Sequence, residues 1–180
     1  MDFKVLIDRA LREGFADVEI STRVNKSLSV SIFNGQIDKN QMSNLTVYSV
    51  RGIYNGKMSY VTFEDPNESL EFVIKSLKDN ANVLTTDEEF EIFGGSKHYE
   101  TKVKKTSNFY EISPQVKVEM LTKLEELVKG KDARIVHVPY CQYNEFETTS
   151  SIFNSKGLDL SQTNRAAYII VGAVAKEGED

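Results

Sequence analysis

The chain has 180 residues, with 22 lysines and arginines against 27 aspartates and glutamates, a formal charge of −5 and one cysteine. That length fits one domain or two small ones and hides about 70% of the unfolded surface, so neither a disulfide nor a metal is needed to hold it together. The acidic balance argues against broad nucleic-acid binding, which runs on phosphate neutralisation. The sole cysteine, Cys141, cannot pair internally, and no leader or membrane-length apolar run of roughly 18 residues is visible, so a soluble cytoplasmic chain is expected. The acceptor triplets at Asn25, Asn44 and Asn67 then read as chance matches.

Residues 2–13 predict a helix with Val5, Leu6, Ala10 and Leu11 on its apolar stripe and Gly14 as its stop. The period then changes to two. Val18, Ile20 and Val24 suggest a first strand, and Leu28, Val30 and Ile32, alternating with serines, a second. Asn34-Gly35 is a two-residue turn signal leading into a third strand near residues 36–42.

Residues 44–65 carry the strongest pattern. Asn55-Gly56 sets a hairpin in which Tyr54 faces Lys57, Gly52 faces Ser59, Val50 faces Val61 and Tyr48 faces Phe63. One face holds Tyr48, Val50, Val61 and Phe63 around a small-residue gap at Gly52 and Ser59. The other holds Leu45, Val47, Ile53, Met58 and Tyr60, with Arg51 among them. A hairpin apolar on both faces predicts the centre of a sheet covered on both sides. Arg51, a charge on a largely buried face, needs a partner; an acid on a neighbouring element is expected ahead of a substrate.

Asp65-Pro66-Asn67-Glu68 reads as a capped helix start, with Leu70, Val73, Ile74, Leu77 and Ala81 recurring to about Asn82, and this helix is expected to cover the hairpin. Residues 83–112 predict a surface excursion or a short extra strand near His98–Lys104. Their acidic cluster (Asp87, Glu88, Glu89, Glu91) lacks an EF-hand pattern and reads as a solvated loop, as does the run Lys102-Val103-Lys104-Lys105. Ser113 and Pro114 open a third helix with Val116, Met120, Leu121, Leu124, Leu127 and Val128 on its stripe, stopped by Gly130. Strands are expected over 134–142, 144–153, 157–163 and 166–175, with a turn at Asn154-Ser155-Lys156-Gly157. The apolar run Ala166–Ala175 needs a neighbour on each side, which suggests that the natural chain continues. Segregated helices and antiparallel meander sheets make the fold class α+β.

Chemistry is sparse. His137, Pro139 and Cys141 would share a strand face, giving two metal ligands where zinc needs three or four. A triad of Cys141, His137 and Glu145 or Glu147 is conceivable, but nothing activates the thiol. His98 is isolated. No P-loop, dinucleotide fingerprint or nucleophile elbow is present. No catalytic, cofactor-binding or metal-ligating residue is assigned.

The run Val50-Arg51-Gly52-Ile53-Tyr54-Asn55-Gly56-Lys57-Met58-Ser59-Tyr60-Val61-Thr62 resembles the hairpin core of the N-terminal region of the TldD/PmbA family, also labelled modulators of DNA gyrase or peptidase family U62. Glu13-Gly14-Phe15-Ala16-Asp17-Val18-Glu19, the stretch from Leu28-Ser29-Val30 to Gly35-Gln36-Ile37-Asp38, and Asn154-Ser155-Lys156-Gly157 resemble three flanking family motifs in the right order. Ser59 and Gly52 depart from the usual residues there. The resemblance implies a single N-terminal α+β domain over residues 1–180, with a possible sub-boundary in the loop 83–112. It would be a fragment of a cytosolic metallopeptidase component that works as paired subunits in proteolysis and peptide maturation. The family's zinc motif lies in the C-terminal half of the TldD-type subunit, and no residue here matches it. The resemblance therefore implies no cofactor in this fragment, a TldD-type zinc subunit and unfolded peptides as partners, an oligomer at full length, and no peptidase activity in the fragment alone. Lys57-Met58-Ser59-Tyr60 places it nearer the PmbA (TldE) branch. Two other readings are a free-standing binding module without enzymatic activity and, least supported in an acidic chain, a DNA-binding protein.

Overall fold

A computed structural model describes residues 2–86, 88–100 and 107–178. The elements are α1 (Phe3–Arg12), β1 (Phe15–Phe33), β2 (Gln36–Tyr54), β3 (Lys57–Phe63), α2 (Leu70–Asn82), a 3-10 turn (Phe109–Glu111), α3 (Pro114–Lys129), β4 (Ile135–Asn154) and β5 (Asp159–Ala175). The strands form an antiparallel sheet in the order β3-β2-β1-β4-β5, and the fold is α+β.

Eight of the expected strands merge into four. The two strands expected between Asp17 and Ile32 are the single strand β1; the strand at 36–42 continues into the central hairpin as β2; those at 134–142 and 144–153 are β4, and those at 157–163 and 166–175 are β5. The polar residues that read as breaks are paired across the sheet instead. Lys26 meets Glu147 at 3.6 Å, and Ser29 donates to Asn144 at 2.9 Å. Such cross-strand pairs stabilise a sheet as apolar alternation does.

Residues group into two compact units, to which β1, β2, β4 and β5 each contribute. The first comprises residues 1–24, 45–101 and 148–163. Its core joins Leu6, Ile7 and Ala10 of α1, Phe15, Val18 and Ile20 of β1, Val50 of β2, and Val73, Ile74 and Leu77 of α2. The β2–β3 register is the expected one, Tyr48 to Phe63 through Tyr54 to Lys57, because Asn55 (φ 51°) and Gly56 (φ 74°) supply the left-handed turn. Both faces are covered near the turn: α2 lies over one, and Phe90 and Ile92 pack on Ile53 and Met58 on the other. The hairpin is nevertheless not the centre of the sheet, since β3 is an edge strand and Tyr60 and Leu45 are exposed. The gap at Gly52 is filled by Phe15, whose ring lies 2.7 Å from where a Cβ would stand.

Helix α1 buries Ile7 with Leu6 and Ala10, leaving Val5 and Leu11 outside the core. Helix α2 starts later than expected. Asp65 accepts from Asn67 N–H at 2.8 Å in a turn of its own, and Ser69 caps the helix by accepting from Phe72 N–H at 3.1 Å. Ser59 Oγ is buried with no hydrogen-bond partner among the described residues. Ser59→Ala should therefore raise the stability by about 1 kcal/mol in a denaturant melt, the cost of an unmade hydrogen bond.

The second unit comprises residues 25–44, 102–147 and 164–180. Leu28, Val30 and Ile32 pack with Val138, Cys141 and Tyr143 under Leu121 of α3. The helix begins and ends as expected, with Ser113 accepting from Val116 N–H at 3.4 Å. Its buried stripe differs: Val116, Met120 and Leu127 are exposed, while Lys117 and Glu125 are buried beside Leu121. Each charge has partners that bring it inside. Lys117 Nζ lies 2.7 Å from Glu145 and over the Tyr143 ring. Glu125 accepts from the N–H groups of Asn34 and Gly35, at 2.9 and 2.7 Å, and pairs with Lys129. That helix carboxylate clamps the β1–β2 turn. Burial alone would push it up, but these donors outweigh burial and hold Glu125 below its usual range. Its contribution to stability is thus fully present above about pH 4.5 and lost as pH falls through the lower folded value. Glu125→Gln should unfold about 2 kcal/mol more easily at pH 7, and the gap from the parent chain should close on acidification below pH 4.5.

Strand β5 pairs with β4 among the described residues. Among the described residues, 98–100 form no strand, and the lysine run 102–105 and Asp87 lie outside the description.

Candidate functional site

The chemical candidates do not converge. Val138 and Cys141, three apart, both enter the core under α3, so the alternation of β4 slips across Pro139-Tyr140. His137 consequently points away from Cys141 and stands edge-on to Phe33 at 5.6 Å. The expected shared face of His137 and Cys141 is thereby corrected. Burial pushes the Cys141 thiol up, and the Glu125 charge adds to that, so no thiolate is favoured. Glu145 is held by Lys117 and by the Tyr143 hydroxyl; Glu147 is held by Arg165 and Lys26. Glu91 pairs with Lys156 at 3.3 Å. Among the described residues no group of three or more His, Cys, Asp or Glu could hold a metal, so this donor set does not fit zinc.

What the first unit does assemble is a polar network around two buried side chains, Glu19 and Asn154. Arg51 of β2 meets Glu19 of β1 at 2.7 Å, with side chains 33% and 6% exposed. This is the neighbouring acid expected for Arg51. Asn154, at the end of β4, donates to Glu19 at 3.2 Å and to the carbonyl of Phe93 at 2.8 Å. Its Oδ1 accepts from the N–H groups of Lys156 and Leu158 at 3.0 and 3.1 Å. Ser155 donates to Asp17 at 2.9 Å, and Lys156 reaches both Asp17 and Glu91. One turn, residues 154–157, thus ties β1 to the segment 91–95. Sequence reading recognised it only as a turn, because its partners are remote in the chain.

Beside this network lies an open cleft of about 670 Å³ within the same unit. Two-residue spacing carries the network's face along the sheet: Ser21 and Arg23 follow Glu19 on β1, and Ser49 and Val47 precede Arg51 on β2. Ser150 and Ile152 of β4 and Leu160 and Gln162 of β5 extend the floor, and Tyr99 and Glu100 form a wall. The Tyr99 hydroxyl accepts from Ser96 N–H at 2.8 Å, which holds the ring in place. Hydroxyls, an amide and short apolar side chains alternate across strands, an arrangement suited to an extended chain and lacking any nucleophile–base pair. Sequence reasoning missed this cleft; its one signal was the run of small polar residues Thr148-Thr149-Ser150-Ser151 inside a strand.

Residues 18–81 match the profile described as PmbA/TldA metallopeptidase domain 1, and residues 107–180 match that of the PmbA/TldA metallopeptidase central domain. The chain belongs to the PmbA/TldD family. Its Asn55-Gly56 hairpin and the Arg51–Glu19 pair fall in the domain 1 match, and the Asn154 turn in the central-domain match. The PmbA/TldD fold recurs in solved structures. A candidate modulator of a DNA gyrase from Thermotoga maritima has a TM-score of 0.85 at 22% identity, covering 98% of this chain and 40% of its own. TldE from Thermococcus kodakarensis has a TM-score of 0.85 at 23% identity, again covering 98% and 40%. A candidate modulator of DNA gyrase from Bacteroides thetaiotaomicron gives 0.81 at 19%, covering 98% and 41%. This PmbA/TldD chain therefore spans about 40% of the length of those structures. Comparison with curated proteins finds no match. No described helix is long and apolar enough to cross a membrane.

Proposed function

We propose that this chain is the non-catalytic N-terminal part of a cytosolic TldD/PmbA-type metallopeptidase component, nearer the PmbA (TldE) branch. It serves proteolysis and peptide maturation by supporting assembly with a TldD-type zinc subunit and by guiding an unfolded peptide towards that zinc. In this reading zinc belongs to the partner or to a C-terminal half, which the lack of a three-donor group among the described residues supports. Neither nucleic acid nor membrane has a part in this reading.

The observation that carries the proposal is the cleft along β1, β2, β4 and β5. A peptide lying there meets hydroxyls for its main chain and the apolar side chains of Val47, Ile152 and Leu160 between them. Hydroxyls that bond a peptide's main chain make little demand on its sequence. An unfolded peptide carrying a photoreactive residue should label Tyr99 and the Ile152 segment, and Ile152→Lys should abolish the labelling. Labelling confined to other surfaces, or unaffected by Ile152→Lys, overturns the assignment of the cleft.

A further inference from the structure

The cleft of the first unit is more ordered than a surface that merely holds a main chain needs to be. Val18 N–H donates to Ser155 Oγ at 3.1 Å, Asn154 donates to Glu19 at 3.2 Å, and Lys26 meets Glu147 further along. These contacts bracket β1 against β4 in a single register, which sets Arg23 opposite Ser150 and Ser21 opposite Ile152. The pairs Thr149–Thr163, at 2.9 Å, and Ser151–Ser161, at 3.0 Å, fix β4 against β5. Ser150 therefore stands opposite Gln162, and Ile152 opposite Leu160. The floor is ruled into two rows that run across the strands. One is polar, Arg23-Ser150-Gln162; the next, two residues along each strand, is mainly apolar, Ser21-Ile152-Leu160.

Arg23 and Glu100, the latter in the wall, are the charged residues of the lining. Unlike Arg51, Arg23 is exposed and forms no ion pair among the described residues. A guanidinium beside a hydroxyl and an amide offers a carboxylate a two-pronged ion pair with further donors at its side. We propose that the cleft selects extended peptides carrying an acidic side chain two residues from an apolar one, the acid on the Arg23 row and the apolar group on Ile152 and Leu160. The match is one of repeat. Same-side residues of an extended chain are roughly 7 Å apart, which is also the spacing of the two rows, since strands lay them out. Glu100 repels an acid held against the wall, which leaves Arg23 as the place for it.

This selectivity rests on the peptide reading of the cleft and deepens it. It is measured by fluorescence anisotropy of labelled, C-terminally amidated, unfolded peptides titrated with the 180-residue chain. A Glu-x-Leu peptide should bind at least tenfold tighter than its Gln-x-Leu counterpart, and the ratio should shrink as salt is raised. Placing Leu directly after Glu, which turns the two to opposite sides, should forfeit most of that gain. Arg23→Met should abolish the ratio, and Arg23→Glu should turn the preference to Lys-x-Leu. Both variants should melt with the parent chain, because Arg23 is exposed. Failure of every peptide to bind would remove the peptide reading of the cleft and this inference with it. Binding that Ile152→Lys abolishes, but that treats Glu, Gln and Lys alike, overturns the inference alone. An equal gain from a free C-terminal carboxylate on the Gln-x-Leu peptide overturns it too, since the polar row would then serve chain ends.

Discussion

Asn154→Ala should lower the unfolding free energy by about 3–4 kcal/mol, the largest loss expected from a single polar truncation in this chain. The side chain is buried and serves four partners: Glu19, the Phe93 carbonyl, and the N–H groups of Lys156 and Leu158. Removing it strands a buried carboxylate oxygen, a carbonyl and two turn donors together. Asn154→Asp should not rescue the loss, because it keeps the acceptor for Lys156 and Leu158 but sets a second negative charge beside Glu19. Ser155→Ala, which loses contacts to Asp17 and Val18, should cost only about 1 kcal/mol. Denaturant midpoints of the three variants check the ranking. Equal stability of Asn154→Ala and the parent chain would show that the network does not hold the turn to β1.

Arg51→Met should cost about 2–3 kcal/mol, the lower end for breaking a buried pair, since Glu19 is enclosed while Arg51 keeps a third of its surface in water. The loss comes mainly from leaving Glu19 charged and poorly compensated. Adding Glu19→Gln to Arg51→Met should therefore recover about half of it, and a double-mutant cycle over thermal melts measures the coupling. A substrate-contacting arginine would behave otherwise: Arg51→Met would leave the melt unchanged and affect ligand binding alone.

Much of the fold is legible wherever geometry is local. Asn55 and Gly56 take the positive φ a two-residue turn needs, and from them the whole β2–β3 register follows. Ser113, Pro114 and Gly130 delimit α3 for equally local reasons. The reading falters where a residue's partner lies far along the chain. Lys26, Asn144 and their neighbours look like strand breaks until Glu147 and Ser29 stand opposite them. Lys117 and Glu125 look like the wet side of a helix until Glu145, Tyr143 and the Asn34-Gly35 turn meet them. Asp65 has every local mark of a helix cap, yet a tighter turn to Asn67 claims its carboxylate and Ser69 takes the role. The cleft is the extreme case. Its lining comes from four strands, each supplying two or three side chains that look ordinary in sequence.

The isolated site chemistry follows the same logic. His137 and Cys141 are placed on one strand face only if β4 alternates without interruption, and the slip at Pro139-Tyr140 separates them. Arg51 is the instructive contrast. A charge amid Ile53 and Met58 demands a carboxylate on physical grounds alone, and Glu19 on the adjacent strand supplies it.

The most direct test of the account is hydrolysis of an unfolded reporter peptide by the pure 180-residue chain with added zinc, before and after a chelator. A non-catalytic N-terminal part predicts no cleavage in either condition. Cleavage that zinc supports and the chelator abolishes would contradict it.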